Sequence, residues 1–470
     1  MTRKNPIVNG LFDLVILILL GITNPATSNG QTVLAEFKLP AEKINHIQSL
    51  SVHDKLFLLY DTRIDDSPVE TKVCYQINSD GTAKKITLDP FEKMVLCNIS
   101  KYDSNYYFYY LSEYHKMLTL QASTYNYITD KNKFIDGEIE IDGELWGTWS
   151  DDDFSLITYN RDLNQLKVLQ VNKLNVMHEK IFDLPIDFSR DYKYMTYIPN
   201  NYLTTVEQGS AKFKLYKRGK LIVITIDQTF DESNTGNPQT VVIKLNLENG
   251  SQNVQNISAH NRGSFRSFLY RDKLYRTIIS KKKYELNVFD IEDGNLISKK
   301  EFSIDSVLKE SPVYFRYGRE GLISKKETLT NMMKLSNVSD PSVVVIPGND
   351  TCEATIIWGS YQEKSGIGPG TVNVRHPMYG ILSMTVGTAM WQMKEPPGEN
   401  RYFYMNENCR HDFEFSKPDS MPVRQAIDDH EILMKNSIDY KGYFEFLNKK
   451  IGVYLENGSN KLTLVSYDKH

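Results

Sequence analysis

A turn followed by a basic residue and an apolar run recurs along this chain at a spacing near fifty residues, and that recurrence limits the folds open to it. It stands as Asp54-Lys55-Leu56-Phe57-Leu58-Leu59-Tyr60, as Gly219-Lys220-Leu221-Ile222-Val223-Ile224 and as Asp272-Lys273-Leu274-Tyr275. It returns near the end as Lys449-Lys450-Ile451-Gly452-Val453-Tyr454, with weaker copies at Asn105–Leu111 and Asp153–Tyr159. Between the copies the chain alternates runs of five to eight apolar, β-branched or aromatic residues with turn signals, the pattern of strands. The 29 Tyr and 21 Phe agree with that assignment. A second mark is the pair Asp80-Gly81, Asn249-Gly250 or Asp293-Gly294. Each sits where a two-residue hairpin would need positive φ at both central positions.

Each unit thus offers four strands, and four-stranded units repeated at this spacing point to a β-propeller. The units fall near 44–90, 91–136, 137–185, 210–258 and 262–304, with a disrupted one within 312–415. The last joins about 440–470 to residues 31–40. In the interior unit Tyr284–Ile291 is a strand, Asp293-Gly294 the turn and Leu296–Phe302 the next strand. At the C-terminus Lys461–Tyr467 has no such partner after it, and Gln31–Leu39 supplies one. The expected fold is all-β: seven four-stranded blades, with six or eight also compatible, closed by the N-terminal strand joining the C-terminal blade. An irregular pair of β-sandwiches is the competing arrangement. Insertions interrupt the repeat at about 186–210 and 305–440, the second with short helices expected at Val307–Glu310 and Lys326–Leu335. The Lys-Leu-Tyr hairpin resembles that of kelch repeats, but the Gly-Gly pair and spaced Trp of that family are absent, as are Trp-Asp dipeptides. The resemblance is therefore to the architecture, with no named family matched.

Residues 1–30 read as a signal peptide. Arg3 and Lys4 precede the apolar block Leu14–Ile22, and Ala26 and Ser28 are placed as in a small-x-small cleavage site. That block is too short for a bilayer core, which takes about 20 helical residues. Residues 31–470 are then a single exported domain, secreted or in the cell envelope, with no transmembrane segment after signal removal. Export permits disulfides. The four Cys form two local couples, Cys74–Cys97 and Cys352–Cys409, and the opposing reading is four buried free thiols. Six Asn-x-Ser/Thr sequences begin at Asn98, Asn249, Asn256, Asn337, Asn349 and Asn457.

A net charge of −4 with both signs mixed argues against nucleic acid, which needs concentrated Lys and Arg. Catalytic motifs are missing: there is no Gly-x-Ser-x-Gly elbow, and His430-Glu431 has no second His at zincin spacing. Gly366-Ile367-Gly368-Pro369-Gly370 lacks the spacing and strand–helix context of a phosphate loop. Cys352, Cys409, His376 and His411 match no compact zinc spacing, so neither metal nor cofactor is expected. The apolar stretch Gly380–Trp391 is the least strand-like part of the chain. Met384, Met390, Trp391 and Met393 there are the candidate contact residues, since Met adapts to irregular partners; the other reading is a cap packed over the propeller mouth. The expected role is a binding or scaffolding module that recognises a protein or glycan through loops at one face. The alternative is a carbohydrate-active enzyme with paired carboxylates in the channel.

Overall fold

The computed structural model describes residues 32–38, 43–52, 55–63, 70–78, 82–88, 95–114, 117–150, 154–189, 194–198, 206–229, 237–258, 264–279, 283–303, 313–317, 319–323, 340–347, 354–362, 401–410, 412–416, 438–446, 449–456 and 461–466. These residues form seven β-sheets and one short helix. Sheet 1 holds Lys43–Val52, Lys55–Arg63, Glu70–Ile77 and Ala83–Thr87; sheet 2 holds Val95–Tyr102, Asn105–Tyr114, Met117–Asn126 and Lys131–Ile141. Sheet 3 holds Glu144–Ser150, Phe154–Asn160, Gln165–Asn172 and Asn175–Asp183. Sheet 4 holds Phe213–Arg218, Leu221–Gln228, Gln239–Asn246 and Gln252–Ser258; sheet 5 holds Ser264–Tyr270, Lys273–Ile279, Lys283–Asp290 and Leu296–Ser303. In all five each strand pairs antiparallel with the next, the unit expected from the repeat.

Sheet 7 is completed from the other end of the chain. Its strands Ile438–Phe446, Lys449–Glu456 and Lys461–Ser466 are followed by Thr32–Lys38, antiparallel with Phe37 opposite Leu462 and Thr32 opposite Ser466. A bulge between Val33 and Ala35 shifts the register once.

Two units depart from the repeat. Sheet 4 gains Met195–Ile198, a parallel neighbour of Phe213–Arg218, so part of the first expected insertion extends that sheet. The helix Val206–Ser210 follows it. Sheet 6 runs Asp340–Pro347, Ala354–Gln362 and Arg401–Cys409, but its fourth strand, Val313–Tyr317, comes earlier in the chain than the other three. Arg319–Ile323 extends it outward, and Phe415–Ser416 pairs with the end of Arg401–Cys409. Val307–Glu310 and Lys326–Leu335 lie outside the described residues.

The sheets stack face to face, which explains why second strands are apolar at consecutive positions rather than alternating. Along Asn105–Tyr114, Tyr106, Phe108 and Tyr110 pack with Phe57, Leu59 and Cys74 of sheet 1. Tyr107, Tyr109 and Leu111 point the other way and pack with Phe154, Leu156 and Leu169 of sheet 3. Ile157 and Tyr159 then meet Leu215, Ile222 and Ile224 of sheet 4. Val223, Leu274, Tyr284, Val343 and Trp358 continue the layering through sheets 4, 5 and 6. Tyr109 stacks on Phe154 with ring centroids 4.1 Å apart, and Trp146 on Tyr159 at 4.4 Å. Such pairs add about 1 kcal/mol each beyond their area.

The same layering disposes of one bridge. Cys74 belongs to the layer between sheets 1 and 2, and Cys97 to the layer between sheets 2 and 3. The two thiols therefore lie on opposite sides of sheet 2, and both are free and buried. The Cys97 thiol donates to the Tyr109 carbonyl at 3.2 Å. Burial pushes both thiols well above their ordinary titration range. Cys409 is buried, with Tyr275 Oη 4.0 Å from its Sγ; Cys352, its expected partner, lies outside the described residues.

The expected two-residue turns are corrected as well. Gly250 and Gly294 have φ of +73° and +75°, but Asn249 and Asp293 are not left-handed. The connections are longer: Asn246 N–H donates to Ser251 O, and Asp290 N–H to Asn295 O. The Asn246 and Asp290 side chains accept backbone N–H two residues on, at 2.8 and 2.7 Å, and the fourth loop residue turns left-handed. Asn126 repeats the pattern in sheet 2, with Asp130 at φ 55° in place of glycine. Asp80-Gly81 lies outside the described residues.

Candidate functional site

The alternation of strands sorts the connections onto two ends of each sheet. Turns between first and second strands, and between third and fourth, share one end. There Tyr127, Leu247 and Ile291 of the later turn donate N–H to Ser104, Lys220 and Asp272 of the earlier one, at 3.2, 2.8 and 3.1 Å. Compact turns fill this end of sheets 2, 4 and 5: Asp103-Ser104, Gly219-Lys220 and Arg271-Asp272 each link first to second strand.

Connections between second and third strands, and from one sheet to the next, leave from the opposite end. Residues 64–69, 229–238 and 363–400 are second-to-third connections, and 88–94 and 184–194 run between sheets. Asn164 organises the described part of this end. Its φ is 51°, its Nδ2 donates to Leu184 O at 2.9 Å and Ile186 O at 3.0 Å, and its Oδ1 accepts from Tyr159 Oη and Phe188 N. Leu163 beside it is 62 % exposed, and Tyr194 is 57 % exposed. The candidate contact residues Met384, Met390, Trp391 and Met393 lie outside the described residues, within 363–400. The strands flanking that segment pair Gln362 opposite Arg401, which fixes the end of sheet 6 from which it departs.

A second polar constellation is centred on a pair closed to solvent. Lys214 is 0 % and Asp227 1 % exposed. Asp227 lies diagonally across the first strand pair of sheet 4 from Lys214, and the Lys214 ammonium is 3.8 Å from its carboxylate. The carboxylate also accepts from Thr240 Oγ1 at 2.9 Å, Ser267 Oγ at 2.7 Å and Ser267 N at 2.8 Å. Lys214 donates to Ala211 O. Neighbouring Arg266 donates to Ser210 O at 2.8 Å and to the Asp340 carboxylate at 2.5 Å. Burial pushes the Lys214 ammonium down to about 8, a fall that Asp227 limits. The helix Val206–Ser210 is held from the same side: a Cβ on Gly209 would come within 2.6 Å of Ser342 Oγ and Val344 Cγ2.

Two cations and two carboxylates are thereby balanced where sheets 4, 5 and 6 meet. With Lys214 and Asp227 wholly enclosed, no substrate reaches them, and the cluster acts as a lock between sheets. Sequence reasoning passed over it. The available signal was the single acid at the end of Leu221–Gln228 (LIVITIDQ), since a charge in a run buried on both sides must be paired.

No family model matches the chain, and no curated protein matches it in sequence. Among solved structures it is similar to the β-propeller domain of the Trilobed protease from Pyrococcus furiosus, at 8 % identity and TM-score 0.38, over 91 % of this chain and 94 % of that one. It is also similar to the Pyrococcus horikoshii acylaminoacyl peptidase, at 9 % identity and TM-score 0.29, over 68 % and 58 %. A third is a GH43_1 enzyme from Xanthomonas citri, at 8 % identity and TM-score 0.25, over 58 % and 90 %. Among the described residues no helix is long and apolar enough to cross a membrane.

Proposed function

We propose that the seven sheets close into a propeller ring and that the protein is an exported binding or scaffolding module working through the loops of one face. Support for the ring comes from contacts that run from Ile438–Phe446 of sheet 7 to Lys43–Val52 of sheet 1 and on, sheet by sheet, to Asp340–Pro347 of sheet 6, between first strands except where Leu221–Gln228 of sheet 4 meets Ser264–Tyr270 of sheet 5. A meeting of sheets 6 and 7 completes it, with Thr32–Lys38 fastening the last blade. Closure of this kind leaves few strand edges open to unwanted pairing.

The sorting of connections carries the functional reading. Compact turns occupy one end of sheets 2, 4 and 5, and connections 64–69, 229–238 and 363–400 the other, so a partner meets variable, addressable chain on a single face of a rigid frame. Residues 363–400 are the largest contribution to that face, and Met384, Met390, Trp391 and Met393 are its proposed apolar contacts to a protein or glycan.

The test compares the wild-type chain with one in which 363–400 is replaced by a short Gly-Ser linker. Both are screened on glycan arrays and by cross-linking in the exported fraction. Binding lost with the linker and kept after replacement of the compact turn Arg271-Asp272 supports the reading. Binding that survives the linker overturns it.

A further inference from the structure

The fold treats the Asn-x-Ser/Thr sequences unequally. Asn98 lies in the first strand of sheet 2, half-buried between Cys97 and Ile99, both fully enclosed. Its own Oδ1 accepts the Ile99 N–H at 2.8 Å. Ser100, the hydroxyl of that sequence, is fully buried and donates to Tyr109 Oη at 3.2 Å. A glycan here would have to occupy a packed interior.

Asn249 and Asn256 are differently placed. Asn249 is exposed in the loop between Gln239–Asn246 and Gln252–Ser258, and its Oδ1 accepts the Ser251 N–H at 2.9 Å. The asparagine and hydroxyl residue of the sequence are therefore held in one turn. Asn256 is exposed on Gln252–Ser258, the outermost strand of sheet 4, with Ser258 exposed at its end. Asn337, Asn349 and Asn457 lie outside the described residues.

We propose that Asn249 and Asn256 are N-glycan acceptors and that Asn98 is not, an assignment that rests on the export reading above. In the transfer the Asn Nδ2 attacks C1 of the reducing-end sugar of a polyprenyl-pyrophosphate-linked oligosaccharide. The N–C1 bond forms, the C1–O bond to the pyrophosphate breaks, and the amide proton leaves for the departing pyrophosphate; nothing is oxidised or reduced. Both acceptors sit on the outer hairpin of sheet 4, Asn249 in its turn and Asn256 opposite Val241, two residues from the other end of the strand. A glycan on Asn256 would shield a strand that presents one unpaired edge, and one on Asn249 would stand at the compact-turn end, clear of the proposed recognition face.

The full chain is expressed in a eukaryotic secretory cell line, once with its own residues 1–30 and once behind a substituted secretory leader. Secreted protein is treated with peptide N-glycosidase in heavy-oxygen water, which leaves labelled Asp at each formerly glycosylated Asn, and is mapped by peptide mass spectrometry. Label at positions 249 and 256 and none at 98 is expected, with N249Q and N256Q each removing one step of the gel-mobility shift. Label at 98, or secreted protein unlabelled at 249 and 256, overturns the assignment. Secretion and labelling only behind the substituted leader overturn the export reading and uphold the acceptor sites; failure behind both leaders overturns both.

Discussion

Lys214 gives the sharpest quantitative test of the inter-sheet lock. Its ammonium ordinarily titrates near 10.5 and is pushed down to about 8 in the folded chain, first by burial and with Asp227 opposing. Between those values the unfolded chain holds a proton that the folded chain has released, so stability rises with pH. At about 1.4 kcal/mol per unit, the gain from pH 7 to pH 10 is about 2–3 kcal/mol. It is complete above the unfolded value and lost as pH falls through about 8. Lys214→Met lacks this titration while sharing every other one. Urea denaturation of both proteins at the two pH values should therefore show the deficit of the variant growing by about 2–3 kcal/mol at the higher pH. A deficit that is equal at both, or smaller at pH 10, would refute the buried placement of Lys214.

Other outcomes follow from single contacts. Asp227→Ala strands a buried ammonium and three donors, and should cost about 3–5 kcal/mol in the same urea assay at pH 7. Asn164→Ala removes four hydrogen bonds at a left-handed position; a loss of about 2–4 kcal/mol is expected, and a change under 0.5 kcal/mol would count against its organising role. Gly209→Ala drives a methyl into Ser342 and Val344 and should lower stability by about 1–3 kcal/mol, read as a drop in thermal midpoint. Deleting 32–38 removes a strand's worth of backbone hydrogen bonds, about 5 kcal/mol at about 1 kcal/mol each, and should sharply lower the melting temperature.

Much of the frame could be read from residues alone because second strands such as Asn105–Tyr114 are buried on both faces, which leaves long apolar runs between turn residues. The vacancy after Lys461–Tyr467 was legible for the same reason: a repeat unit lacked its last member, and Thr32–Lys38 pairs there. Sheet 6 was harder. Its fourth strand, Val313–Tyr317, precedes the others in the chain, so a repeat read in sequence order finds only disruption. Met195–Ile198 escaped notice because four residues joined in parallel carry neither a hairpin turn nor a repeat motif. Asn-Gly and Asp-Gly marked the right turns but the wrong geometry, since the asparagine or aspartate that shapes the loop stands three residues earlier, at Asn246 and Asp290. Cys74 and Cys97 are close in sequence yet separated by a sheet, which sequence spacing does not reveal. The Asp227 lock joins Lys214, Thr240 and Ser267, three residues with no sequence mark of their own.

The most direct measurement on the central claim is a register-specific cross-link between the chain ends. Glu36 lies opposite Thr463 in sheet 7, whereas Glu36 and Val465 are offset by two residues. In the purified protein, mild oxidation of the Glu36→Cys/Thr463→Cys double variant should yield a joined peptide pair in mass spectrometry, and the Glu36→Cys/Val465→Cys variant should yield far less. Equal cross-linking in the two variants, or none in either with the chain folded, would contradict a sheet shared by the two ends.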